Sequence, residues 1–181
     1  MKTIFVFLTT GFEEIEALGT IDVLRRAELD VKSVSLTDSK QVMSSRKVIV
    51  TADLMFDQVD FSTAGMLVLP GGTPKFNEHE NMKKEVLAFA NKGEKVAAIC
   101  ASPMVLGGLG LLKGKNATCY PGFEKYLEGA NLQTDKAVVI DGNITTGRGP
   151  PGLTIDFALS LVEQVAGKEK RDAVAAGLLV E

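Results

Sequence analysis

Histidine and cysteine are nearly missing from this chain, with one His and two Cys among 181 residues, and their scarcity removes whole classes of chemistry. A zinc site takes several His, Cys or acidic ligands at short characteristic spacings, and His79, Cys100 and Cys119 are too widely separated to supply that constellation. Two cysteines also cannot build the disulfide framework of a small secreted domain, so free thiols in a reducing cytoplasm are expected. Positive charge is not in excess either: 20 Lys and Arg stand against 23 Asp and Glu, for a formal net charge of -3. The basic residues are scattered, which argues against a nucleic-acid groove and against an anionic membrane surface. The apolar run at the start, Ile4 to Leu8, ends at Thr9-Thr10-Gly11. It is too short to span a membrane and no small-residue cleavage site follows it, so it reads as a buried first strand of a soluble, cytoplasmic protein.

What is present is an alternation of short apolar runs with longer amphipathic stretches, the pattern of βα units around a mostly parallel sheet. The length suits one domain, residues 1–181, with one active site. Strands are expected at Thr3–Leu8, Val31–Leu36, Met66–Pro70, Lys95–Cys100 and Asn116–Tyr120. Helices are expected at Glu13–Ala27, Met82–Asn91, Ser102–Leu112 and Thr154–Ala166, with Gly93, Gly114 and Gly167 as stops and a last helix over Lys168–Val180. Gln41–Thr51 and Lys136–Thr146 read as β-hairpins added at a sheet edge, the second turning at Asp141-Gly142, where both central positions tolerate positive φ.

Ligands of open α/β sheets sit at the carboxyl ends of strands, so candidate residues are sought there. Glu13-Glu14-Ile15-Glu16 places three carboxylates in the first turns of a helix. They are there either for the helix dipole or because one turns inward as a proton carrier; Gly19 and Thr20, at helical spacing from Glu16, would let this helix approach something closely. Gly71-Gly72 follows another strand and either makes a tight turn or faces backbone amides toward an anion. The sharpest feature is Val96-Ala97-Ala98-Ile99-Cys100-Ala101-Ser102-Pro103, an apolar strand passing at once into a helix with proline in its first turn. A cysteine there is either a small core hydrophobe or a nucleophile. The strand-turn-helix context favours the nucleophile, with a pKa expected below the free value of about 8.5 and the Ala101 and Gly72 amides ready for an oxyanion. Cys119 neighbours Tyr120 on a strand and is expected to point away and pack. His79 lies in a polar stretch and reads as solvated. No histidine follows Cys100, so a triad needing a downstream histidine cannot form within one subunit.

Taken together, Glu13–Glu16 with Ile21–Arg26, Ser45-Arg46, Val68–Gly72, Ala98–Pro103 and Thr146–Pro150 resemble the ThiJ/PfpI superfamily and, within it, the Parkinson-disease protein deglycase subfamily. The resemblance covers nearly the whole chain. It implies a flavodoxin-like three-layer sandwich and a homodimer, with Cys100 as nucleophilic and oxidisable cysteine and Glu16 as the carboxyl group that hydrogen-bonds it. Glu13 would lie near the pocket, Gly71, Gly72 and Ala101 would line the anion site, Tyr120 and Pro150 would border it, and Arg46 would approach from the partner subunit. Ala101 replaces the histidine that follows the cysteine in the protease branch, Tyr120 stands where many relatives carry a pocket histidine, and Pro150-Pro151-Gly152 carries one residue more than the family loop. The function so implied is action on α-oxoaldehydes or glycated substrates by the Cys100 thiolate, with neither metal nor cofactor. The alternatives are a redox-sensing or chaperone-like role through a sulfinate at Cys100, and a PfpI-type peptidase or amidase.

Overall fold

The computed structural model describes residues 2–180. Its first strand, β1 (Thr3–Leu8), is buried along its whole length, as a strand covered on both faces must be. Side chains alternate across a strand, so Ile4 and Val6 join one apolar cluster while Phe5 and Phe7 join the other. Around β1 the chain forms α1 (Glu14–Arg26), β2 (Val31–Ser35), the hairpin β3 (Gln41–Met43) and β4 (Ile49–Thr51), β5 (Leu54–Met55) and β6 (Ala64–Leu69). It continues through α2 (Glu80–Asn91), β7 (Lys95–Ile99), α3 (Pro103–Gly108), β8 (Asn116–Ala117) and β9 (Asn131–Leu132). A second hairpin, β10 (Val138–Asp141) and β11 (Ile144–Gly147), precedes α4 (Thr154–Ala166) and α5 (Lys168–Leu178).

The main sheet has seven strands in the order β10-β11-β7-β6-β1-β2-β5, all neighbours parallel except β10 with β11. Helices α1, α4 and α5 contribute Ile21, Leu24, Phe157, Leu161 and Val174 to one face. On the other face, α2 and α3 supply Met82, Val86, Val105 and Leu106. This is the three-layer flavodoxin-like arrangement expected from the sequence. Because β1 has β2 on one side and β6 on the other, the chain reverses its direction of winding there, and the ends of β1, β6 and β7 open onto a common rim.

Three expectations need correction. The strand expected at Asn116–Tyr120 stops at Ala117 and pairs with β9 in a separate small sheet. Beyond it, the Thr118 amide donates to Thr146 Oγ1 and the Tyr120 amide to the Cys100 carbonyl, so the chain crosses the ends of β11 and β7 rather than running beside them. The β3–β4 hairpin also stands apart from the main sheet. It is fastened to the loop after β1 by Gly11 N–H to the Met43 carbonyl and Ser45 N–H to the Phe12 carbonyl, both 2.8 Å. Finally, α3 runs for only 6 residues, because Gly107 and Gly108 weaken it and Gly110, at φ 72°, turns the chain away; Gly114 is not its stop. Gly107 is required by packing, since a Cβ there would strike the Tyr126 carbonyl.

Candidate active site

Four chain segments meet around Cys100, each held by backbone hydrogen bonds. The cysteine follows β7 at φ 66°, a left-handed conformation that costs a non-glycine residue energy. Its N–H donates to the Gly147 carbonyl at 2.9 Å and its carbonyl accepts from the Tyr120 N–H at 2.8 Å. The next residue but one, Ser102, donates its hydroxyl to the Pro70 carbonyl and so ties the exit of β7 to that of β6. From the β6 exit, the Gly71 N–H donates to Glu16 Oε2 at 2.8 Å and the Gly71 carbonyl accepts from the Glu13 N–H at 2.8 Å. Glu13 caps α1, its carboxylate accepting the Glu16 N–H at 2.8 Å, and thereby sets the height at which Glu16 enters the interior.

Glu16 and Cys100 form a buried pair. Glu16 is fully enclosed and Cys100 is 8% exposed, and the two side chains lie side by side, Glu16 Oε2 and Cys100 Sγ standing 2.5 and 2.9 Å from the place a Gly71 Cβ would take. Burial lifts the Glu16 pKa to about 7, against the opposing hydrogen bonds from Cys100 and Gly71 and with a smaller push from the charge of Glu13. The thiol is also raised, first by burial and then by the neighbouring Glu16 charge and hydrogen bond, while the Ala101 and Gly72 amides pull it down. This corrects the expectation of a thiol lowered by a helix N-terminus. The short α3 starts only at Pro103, and two amides do not outweigh desolvation beside an ionised carboxylate. Reactivity therefore depends on where the one shared proton sits. With that proton on Glu16 the carboxylate's repulsion is gone, and the two amides face a thiolate.

The sequence-derived pocket residues divide accordingly. Glu16, Gly71, Gly72 and Ala101 surround the sulfur, and Glu13 acts one bond away by positioning Glu16. Tyr120 gives Cys100 its amide, while its half-exposed ring packs edge-on against Phe123. Pro150 is exposed; Gly149 before it lies against Cys100, with a Cβ there coming within 3.3 Å of Sγ. Sequence reasoning assigned no role to Gly147 or Gly149, although both stand in the Thr146–Pro150 motif. The backbone N–H of Arg46 donates to Glu14 Oε1 at 2.9 Å. That same carboxylate accepts from the hydroxyls of Ser44 and Ser45; burial alone would raise Glu14, and these hydrogen bonds hold it below the usual carboxylate range. Cys119 packs in the cluster on the opposite face from Cys100, as expected. His79, read as solvated, is half-buried and sits 2.8 Å from Thr9 Oγ1, with burial lowering its pKa; it bonds Thr9 and not the cysteine.

Gly71 gives a direct check on this geometry. A Cβ there would sit 2.5 Å from both Cys100 Cβ and Glu16 Oε2, so Gly71→Ala must part the pair. Cys100 alkylation in that variant is expected to lose its dependence on Glu16, whereas Gly152→Ala, whose Cβ meets nothing within 4 Å, leaves it unchanged.

The family model described as the DJ-1/PfpI family matches residues 2–164. The chain belongs to that family. It is 39% identical over 183 residues to Protein dj-1beta of Drosophila melanogaster, covering 99% of this chain and 97% of the relative. The crystal structure of that DJ-1beta superposes with a TM-score of 0.94 at 38% identity, over 99% of this chain and 98% of that one. The structure titled "Toxoplasma gondii DJ-1, oxidized" gives a TM-score of 0.93 at 34% identity, over 99% of both chains. The putative cysteine protease YraA of Bacillus subtilis is 35% identical over 84% of this chain and 92% of its own length. Longer members exist: at 38% identity the chain spans 39% of Protein DJ-1 homolog B of Arabidopsis thaliana.

Proposed function

We propose that this DJ-1/PfpI family member converts α-oxoaldehydes to 2-hydroxy acids through Cys100 and Glu16, without glutathione. The observation that carries the reading is the fully buried Glu16, held by the Gly71 amide beside the Cys100 thiol, with burial raising its pKa to about 7 and the Ala101 and Gly72 amides directed at the sulfur. A carboxylate of that pKa exchanges protons in both directions at neutral pH. Glu16 takes the thiol proton as sulfur adds to the aldehyde carbon, and the Ala101 and Gly72 amides hold the developing oxyanion. Returning the proton to that oxygen gives a hemithioacetal. Glu16 next removes the proton from the former aldehyde carbon, leaving an enediolate, and delivers it to the adjacent carbon. The product of this transfer is a 2-hydroxy thioester, which water cleaves to the acid and free Cys100. Electrons move only between adjacent carbons, so no external oxidant, metal or cofactor enters. Wild-type protein mixed with methylglyoxal and no glutathione is expected to release lactate catalytically; stoichiometric adduct without turnover overturns the proposal.

A redox role for the same sulfur draws support from the oxidised state named for the Toxoplasma gondii relative. A peptidase reading finds less, since His79 is engaged by Thr9 and Ala101 follows the cysteine.

We further infer a homodimer built on α1 and the β3–β4 hairpin. Ile15 and Leu18 on α1 and Met43, Val48 and Ile49 on the hairpin are all exposed large apolar side chains, and the Glu14 carboxylate fastens the two elements together. Such a patch is unusual on a monomer, and Arg46 lies beside it. Sedimentation equilibrium is expected to give twice the chain mass for wild type and a shift toward monomer for Ile49→Asp; a monomeric wild type overturns the inference.

A further inference from the structure

Glu16 Oε2 is engaged by Gly71, but among the described residues Glu16 Oε1 has no hydrogen-bond partner, and neither do the hydroxyls of Thr20 and Thr154. All three residues are at most 1% exposed. Glu16, Gly19 and Thr20 share one face of α1 by their spacing of three and four residues. Gly19 lets α4 come close: a Cβ there would lie 3.0 Å from the Thr154 methyl. Thr154 opens α4 directly after the loop that lays Gly149 on Cys100. Three orphan oxygens thus belong to residues along the contact between α1 and the start of α4, although a buried polar group without a partner costs about 1–3 kcal/mol.

We propose that Thr20 and Thr154 are positioning residues that serve Glu16 Oε1 through a buried water, their hydroxyls favouring the ionised carboxylate. A bridging water has the three polar partners such sites typically offer, and Gly19 and Thr20 acquire a purpose beyond close packing. The inference rests on Glu16 being the proton partner of Cys100. The groups acting on Glu16 are Glu13 from its own helix start, Cys100 from the β7 exit and the Gly71 amide from the β6 exit. Helix α4 brings the uncharged Thr154 to the seam, and Asp156 in its first turn is exposed.

The test follows the rate of Cys100 alkylation by iodoacetamide against pH in the full chain. The inflection expected near 7 in wild type is first assigned by its loss in Glu16→Gln. In Thr20→Val and Thr154→Val, which keep the side-chain shape, the ionised carboxylate loses a donor, and the inflection is expected to rise by about one pH unit; Thr154→Ser is expected to restore it. If Glu16→Gln leaves the inflection in place, the Glu16–Cys100 reading itself fails. If Glu16→Gln removes it but both valine variants keep the wild-type value, the role of the threonines is overturned. A shift that appears only with loss of the native unfolding transition, and that serine does not restore, overturns it equally.

Discussion

Glu16→Gln is expected to become more stable relative to wild type as pH rises, while losing activity. In the folded wild type the carboxyl group titrates at about 7 against an ordinary 4.5. Between those values the native state holds a proton that the unfolded chain has released, so wild-type stability falls as pH rises through this window. The gap corresponds to roughly 3 kcal/mol of stability, fully present below about pH 4.5 and lost by about pH 7. Glutamine can still accept from the Gly71 N–H but carries no charge to bury. Urea unfolding at pH 4.5 and pH 8 should show the variant gaining on wild type by that order, and equal pH dependence in the two proteins would contradict the burial argument. Turnover of methylglyoxal should fall about 10²- to 10⁴-fold, the usual scale for a general acid–base group. On the proposed reaction, the protein keeps a destabilising group because the chemistry requires a proton carrier at neutral pH.

The second large effect concerns Cys100→Ser. A serine hydroxyl beside Glu16 is far less acidic than a thiol, so turnover is expected to drop to background, roughly 10⁴- to 10⁶-fold as for loss of a catalytic nucleophile. Cys119 supplies an internal control. It lies on the other face of the sheet and, unlike Cys100 with its Ala101 and Gly72 amides, has among the described residues no amide to offset burial and the charge of Glu124, which push its thiol up to about 12. Brief iodoacetamide treatment at neutral pH, read by intact mass, should add one label to wild type and none to Cys100→Ser. Equal labelling of both proteins would mean that Cys119 is the reactive thiol, and the assignment of Cys100 would fall.

Much of this site can be read in one dimension because its parts are local patterns. The alternation of elements, the turn from β7 toward α3 at Cys100, the glycines after β6 and the carboxylates opening α1 all follow from periodicity and turn chemistry within a few residues. Where the reading failed, distant contacts decided. The strand expected through Tyr120 was cut short by bonds to Thr146 and Cys100. His79 was drawn out of solvent by Thr9, 70 residues away in sequence.

The sequence by itself therefore determined the architecture and the family and singled out Cys100 as the candidate nucleophile. Only the tertiary structure decided the protonation of that cysteine. A pKa sums desolvation and charge over every atom nearby, and here those atoms come from the ends of β1, β6, β7 and β11. The Gly71 amide that orients Glu16 lies 55 residues further along the chain, a separation across which no local pattern carries information.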